Sequence, residues 1–200
     1  MKIIFATHNQ GKLIEMKKIL AGLDVLGIEE IGIMEDVEED GKTFEENALK
    51  KARFIFDKID NNFNSGKYCI IADDSGLCIK ALDGMPGVFS ARWSGGRNIV
   101  DFTLEKMKNI PDGQREAWFE TAAALIDFNG KEMIFSGRMH GKIVFEPRGV
   151  PLPKLPYDSI FIPNGLKKTV AEISEDEKNS MSQRGQAFSA LKKYIQTELM

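Results

Sequence analysis

The chain has 200 residues, 42% of them apolar and 28% charged, with 18 Gly, 7 Pro and a formal net charge of −3. That length suits one domain, or one domain in two lobes, and buries roughly 70% of its unfolded surface, so the core needs no disulfide or metal staple. The composition excludes collagen-like, mucin-like and disordered chains. The negative balance argues against a general nucleic-acid binder and leaves room for a local basic pocket. Cys69 and Cys78 are the only cysteines. Their spacing fits no C-x-x-C or zinc pattern and reads as two buried free thiols in a reducing compartment. The apolar run at residues 1–6 is too short for a signal sequence, and no 18-residue apolar span exists. The expectation is a soluble, cytoplasmic protein with no membrane partner.

Residues 2–6 (KIIFA) predict a strand, followed by the polar stretch Thr7-His8-Asn9-Gln10-Gly11. Leu13, Met16, Ile19 and Leu20 then recur at helical spacing up to Gly22, and residues 25–28 return as a second strand. The acidic segment 35–40 reads as a loop. Thr43-x-x-Glu46 is a capping box that opens a helix with Phe44, Ala48, Ala52, Ile55 and Ile59 on one face. After a polar loop at 61–67, YCIIA (68–72) is the most strand-like run, and it is expected to end at Asp73-Asp74-Ser75-Gly76. Beyond the Gly-rich loop 84–96 comes a helix marked by Ile99, Phe102, Met107 and Ile110 and closed by Pro111. The runs 115–128 and 131–145 flank Asn129-Gly130, a hairpin signal in which both turn residues take positive φ. A Pro-rich loop (147–156), a strand (157–162), a second capping box at Ser174-x-x-Glu177 and a final helix with Ala187, Leu191 and Ile195 inward complete the chain. The fold class is α/β, with a mixed sheet and a long antiparallel hairpin.

Three stretches can carry chemistry. The loop from Thr7 to Lys12 leaves a strand and enters a helix, so backbone N–H groups and the positive dipole end can meet an anion there. The same residues also make an ordinary capped helix start. It is no Walker A loop, since Ala6 and Leu13 replace the Gly and Ser/Thr which that loop requires. Asp73 and Asp74, with Glu38 and Glu39 as a further acidic group, can offer oxygen ligands to a hard cation such as Mg²⁺, or simply form an Asp-rich turn. If the strand persists, Asp73 and Asp74 point to opposite faces. Lys178 and Arg184 near the last helix can grip phosphates or sit on a solvated face, and Lys50, Lys51 and Arg53 share that ambiguity. His8 and His140 have no Ser, Cys or second His at triad or zinc spacing.

In order along nearly the whole chain, Thr7-x-Asn9-x-x-Lys12-x-x-Glu15, Glu39-Asp40-Gly41-x-Thr43-Phe44-x-Glu46-Asn47-Ala48-x-x-Lys51-Ala52, Ala72-Asp73-Asp74-Ser75-Gly76-Leu77, Pro86-Gly87-Val88-Phe89-Ser90-Ala91-Arg92, Tyr157-Asp158-x-Ile160-Phe161 and Glu177-Lys178-Asn179 with Ser182-x-Arg184-Gly185-x-Ala187 resemble the Ham1/RdgB family of inosine triphosphate pyrophosphatases. The resemblance implies an elongated, two-lobed Maf/Ham1-like fold around a central mixed sheet, in a homodimer. It also implies Mg²⁺-dependent cleavage of deaminated purine triphosphates (ITP, dITP, XTP) to the monophosphate and pyrophosphate. On that likeness Thr7, His8, Asn9, Gln10, Gly11 and Lys12 bind the triphosphate with Lys51, and Glu39 and Asp74 hold the metal. Asp74 is the base that activates water, and Ser75 touches substrate. Leu155, Pro156, Tyr157, Asp158, Lys178, Gln183 and Arg184 hold the nucleoside and phosphates. Two positions depart from the family pattern: Leu155 stands where the family has a Phe that stacks on the base, and Gln183 where it has a His near the base carbonyl. Both departures imply weaker discrimination against ATP and GTP.

Overall fold

Burial on both faces explains the apolar runs at the amino-terminal strands. In the computed structural model, which describes residues 1–60, 68–151 and 154–200, β1 (Lys2–Phe5) pairs in parallel with β2 (Asp24–Gly27) and with β3 (Tyr68–Ile79). Ile3, Ile4, Phe5, Ile70 and Ile71 are all buried. A strand covered on both sides shows continuous apolar sequence rather than alternation. The polar loop expected at 61–67 lies outside the described residues, as do residues 152–153 of the Pro-rich loop.

Six strands form one mixed sheet in the order β2-β1-β3-β4-β5-β6, with β4 at Glu116–Ile126, β5 at Glu132–Ile143 and β6 at Phe161–Pro163. The helices are α1 (Gln10–Ile19), α2 (Phe44–Asp60), α3 (Ile99–Lys106), α4 (Glu175–Met181) and α5 (Gln183–Tyr194), the last running on into a five-residue π turn. The chain divides into two units: 1–74, 121–137 and 184–200 form the first, and 75–120 and 138–183 the second. In the first, α1 and α5 bury Leu13, Met16, Phe188 and Leu191 with Ile3, Phe5, Cys69 and Ile71 of the sheet. In the second, Leu77, Val100, Met107, Phe119 and Phe161 share a core.

The fully buried Arg115 organises part of the second unit without a carboxylate partner among the described residues. Its guanidinium donates to the carbonyls of Met107, Ile110, Ile143 and Val144 at 2.8–3.0 Å. Those at Met107 and Ile110 follow α3, where a helix leaves its carbonyls unsatisfied. Both thiols are buried as expected, and burial pushes Cys69 up to about 11 and Cys78 up to about 12.

Several local expectations are corrected. β3 does not end at residue 72; it runs to Ile79, so Asp73 and Asp74 lie within a strand. At the hairpin, Gly130 takes φ 79° but Asn129 does not take positive φ. Instead Asp127 Oδ1 accepts from the N–H groups of Asn129 and Lys131, and the Gly130 N–H donates to the Asp127 carbonyl. The result is a turn closed by an αL glycine, the three-residue hairpin loop. Residues 157–159 are not strand: Pro156 starts a 3-10 turn through Ser159, whose hydroxyl donates back to the Pro156 carbonyl. The last helix is two, broken at Ser182, where ψ is 153°. Thr43 Oγ1 caps the Glu46 N–H, while the Glu46 carboxylate accepts from Lys42 N–H, one residue upstream of the expected box.

Candidate active site

The first unit gathers charged side chains around the middle of β3. Asn9 caps α1, its Oδ1 accepting from the Lys12 N–H, and Thr7 Oγ1 accepts from the Asn9 N–H. Gly11 and Lys12 fall in the first turn of α1, which holds no acid. His8 and Gln10 turn toward Glu29, with His8 Nδ1 3.2 Å from Glu29 Oε1 and Gln10 Nε2 3.1 Å from Glu29 Oε2. His8 Nε2 faces the Glu35 carbonyl at 3.2 Å. Burial works against the His8 imidazolium, but these acceptors outweigh it and raise its pKa.

Alternation along β3 sends its two carboxylates to different helices. Asp73, on the face covered by α1 and α5, accepts from Lys12 Nζ at 3.0 Å and from Arg184 Nε at 3.4 Å. Arg184 Nη1 also donates to Glu15 at 2.6 Å. Asp74, on the other face, accepts from Asn47 Nδ2 of α2 at 2.8 Å. Lys51, one turn along α2, lies with Nζ 2.6 Å from Glu39 and 4.0 Å from Asp74. Asn47 Oδ1 is itself held by the Gly41 N–H at 2.8 Å. A Cβ on Gly41 would meet that oxygen at 2.5 Å, so only glycine allows the approach.

Burial dominates the electrostatics here. It pushes the Asp74 carboxyl above its ordinary value, beyond what Lys51 and Asn47 restore. It lowers Lys12, with Asp73 opposing. For Lys51 and Arg184 the carboxylates win: Asp74, Asp73 and Glu39 raise Lys51, and Glu15 with Asp73 raises Arg184, each against burial. A buried base with a raised pKa suits proton abstraction near neutral pH.

The remaining expected residues lie in the second unit and are described there. Lys178 Nζ donates to Asp158 Oδ2 at 2.8 Å in a pair about nine-tenths buried on both sides. The Tyr157 ring belongs to the core, and its hydroxyl donates to the Ser90 carbonyl. Leu155 and Pro156 are half-buried at the start of the 3-10 turn, and Ser75 follows Asp74 on β3. Gln183 is buried, and its Oε1 has no hydrogen-bond partner among the described residues.

The Ham1 family model matches residues 3–194. The chain belongs to the Ham1 family. A Ham1 protein of Coxiella burnetii superposes with a TM-score of 0.84 at 35% identity, covering 98% of each chain. The Ham1 protein of Staphylococcus aureus gives 0.81 at 34%, over 99% of this chain and 100% of that one. The dITP/XTP pyrophosphatase of Thermoanaerobacter pseudethanolicus is 39% identical over 201 residues, 98% of this chain and 96% of the relative. That of Geobacter sulfurreducens is 41% identical, over 97% and 96%. Within this Ham1 chain, the sequence gives no site role to Asn47 or Glu15, and it offers Asp73 only as a candidate cation ligand, whereas the structure pairs it with Lys12 and Arg184. Asn47 has a detectable signal: counted from Phe44 it falls at i+3, beside Ala48 at i+4, and so within the buried face of α2.

Proposed function

We propose that this Ham1 protein hydrolyses deaminated (noncanonical) purine nucleoside triphosphates, dITP, ITP and XTP, between the α and β phosphates, with Mg²⁺ as cofactor. The observation that carries this reading is the buried set around Asp74, in which a desolvated carboxylate stands beside Lys51 and one residue from the Asp73-bound cations Lys12 and Arg184.

The residues fit a hard divalent cation. Glu39 and Asp74 offer only oxygen donors, both facing the Lys51 ammonium, and burial raises the Asp74 pKa against the pull of Lys51 and Asn47. Among the described residues no three His, Cys, Asp or Glu side chains form a closed cage, and Mg²⁺ takes one or two carboxylates with waters and phosphate oxygens. Held by Glu39 and Asp74, it would supply positive charge to the phosphates and acidify a water. Asp74 accepts the proton from water as its oxygen bonds to the α phosphorus. The bond to the bridging oxygen breaks, and pyrophosphate leaves. Asn47 keeps Asp74 oriented through Oδ2. Lys12, Lys51 and Arg184 stabilise charge on the phosphate oxygens.

The test is pyrophosphate release with Mg²⁺ over dITP, ITP, XTP, ATP and GTP. The deaminated purines should be preferred, with a modest margin because Leu155 stands where the family has a stacking Phe, and apolar contact discriminates by only about 1–3 kcal/mol. Asp74→Asn should lower kcat at least about 10²-fold while remaining folded. A folded variant with near-wild-type turnover would overturn the assignment.

A further inference from the structure

The mechanism above leaves two carboxylates without a role, the buried Asp73 and the partly buried Glu15. Asp73 is 1% exposed and accepts from Lys12 and Arg184. Glu15 holds the far side of Arg184, and its second oxygen is buried with no partner among the described residues. The chain of contacts is Lys12–Asp73–Arg184–Glu15, at 3.0, 3.4 and 2.6 Å.

The placement of the two cations is electrostatically unfavourable on its own. Lys12 lies in the first turn of α1 and Arg184 in the first turn of α5, and neither turn contains an acid. A helix N-terminus carries about half a positive charge, so acids are favoured there and cations are not. Arg184 is also 3% exposed. Left alone, both side chains would swing toward water, and Lys12 has the length to do so.

We propose that Asp73, with Glu15 behind it, is a positioning residue for phosphate binding, fixing the Lys12 ammonium and the Arg184 guanidinium on the first turns of α1 and α5. Lys12 uses one of its three N–H donors on Asp73, and the described residues offer the others no partner. The carboxylate therefore orients the ammonium without saturating it. Asp73 is not the base and does not meet substrate. The inference rests on the proposed triphosphate substrate, and the contacts that carry it are with Lys12 and Arg184.

The experiment has two arms on the full chain. In the kinetic arm, Asp73→Asn is isosteric and keeps a hydrogen-bonding side chain. It should raise KM for dITP about tenfold, the scale of one charged hydrogen bond, and change kcat by less than about threefold, since Asp74 and Asn47 are untouched. Glu15→Gln, which acts through Arg184, should raise KM in the same direction. In the Lys12→Ala background, Asp73→Asn should raise KM by less than it does in the wild type, because part of its route is gone; a purely structural defect would multiply. In the binding arm, inorganic triphosphate measured by calorimetry should bind more weakly to both variants. Unchanged KM and triphosphate affinity in either folded variant overturns the proposal, as does a loss confined to kcat. If Asp73→Asn does not fold, Glu15→Gln alone decides. A wild type that binds triphosphate but releases no pyrophosphate refutes the hydrolase reading, while weaker triphosphate binding by the variants would still uphold the positioning role. A wild type that binds no inorganic triphosphate and releases no pyrophosphate refutes both.

Discussion

Replacing Lys51 by Met tests whether the Glu39–Lys51–Asp74 arrangement is a cation site held by a lysine. The thioether chain has similar length and leaves α2 intact, but it removes the positive charge 2.6 Å from Glu39 and 4.0 Å from Asp74. Removing one member of a buried ion pair costs about 3–5 kcal/mol, because the remaining charge stays desolvated. Glu39 is 34% exposed and can rehydrate, whereas Asp74 is 8% exposed and cannot. The expected loss is therefore near the lower end, about 3 kcal/mol, and with a urea slope of about 1–3 kcal/mol per molar it moves the midpoint by at least about 1 M. Mg²⁺ should then recover more stability in the variant than in the wild type, since no ammonium competes for the two carboxylates. At ten times its Kd a ligand of the folded state contributes about 1.4 kcal/mol. Urea titrations of both proteins, with and without MgCl₂, followed by tryptophan fluorescence, measure both effects. A loss below about 0.5 kcal/mol, with equal Mg²⁺ shifts in the two proteins, would refute the reasoning.

Two further outcomes follow from buried or paired groups elsewhere. Arg115→Met should cost about 3 kcal/mol in urea unfolding, since it removes four hydrogen bonds to carbonyls, two of them buried, at about 1–3 kcal/mol for each group left unsatisfied before relaxation. Arg115→Lys should recover less than half of that, because an ammonium cannot reproduce the planar fork; a Met variant within about 1 kcal/mol of wild type would be the contrary result. The His8 pKa is raised in the fold, so the folded state binds more protons than the unfolded state near neutrality. Its contribution is fully present below the unfolded value and is lost as pH rises through the folded one. An NMR titration of the His8 ring should place its midpoint above that of a free imidazole, and His8→Gln should flatten the stability–pH curve there; a midpoint at or below the free value would refute it.

The elements most legible in the sequence were those whose signals are local. KIIFA and the Leu13–Met16 spacing marked β1 and α1, Asn129-Gly130 marked the hairpin, and Phe44, Ala48, Ala52, Ile55 and Ile59 marked the buried face of α2. Elements decided by tertiary context were not. Asp-Asp-Ser-Gly reads as a turn, yet the strand continues through it because the carboxylates find Lys12, Arg184, Asn47 and Lys51 as partners. The break at Ser182 is invisible in a run with good helix formers on either side. Tyr157 and Ile160 look like strand by propensity, but Pro156 and the Ser159 hydroxyl close a 3-10 turn there. Asp127 overrode the expected turn type by occupying two N–H groups of the loop.

The site was legible as a set of residue types, and less so as a set of pairings. Sequence reasoning singled out Lys12, Glu39, Lys51, Asp74 and Arg184, and the structure brings them together with Asp73, Glu15 and Asn47. The pairings carry a consequence for the proposed reaction. Lys12, Lys51 and Arg184 face Glu15, Glu39, Asp73 and Asp74, so the cations are already opposed by a greater number of carboxylates. A triphosphate brings several more negative charges into the same low-dielectric setting, where an uncompensated charge is costly. If its oxygens engage Lys51, then Glu39 and Asp74 lose their ammonium and need another cation; if they do not, the phosphates lack one of their donors. Either way the protein's own side chains cannot neutralise the bound state. That imbalance, more than the presence of two carboxylates, is the physical reason to expect a divalent cation to enter with the substrate.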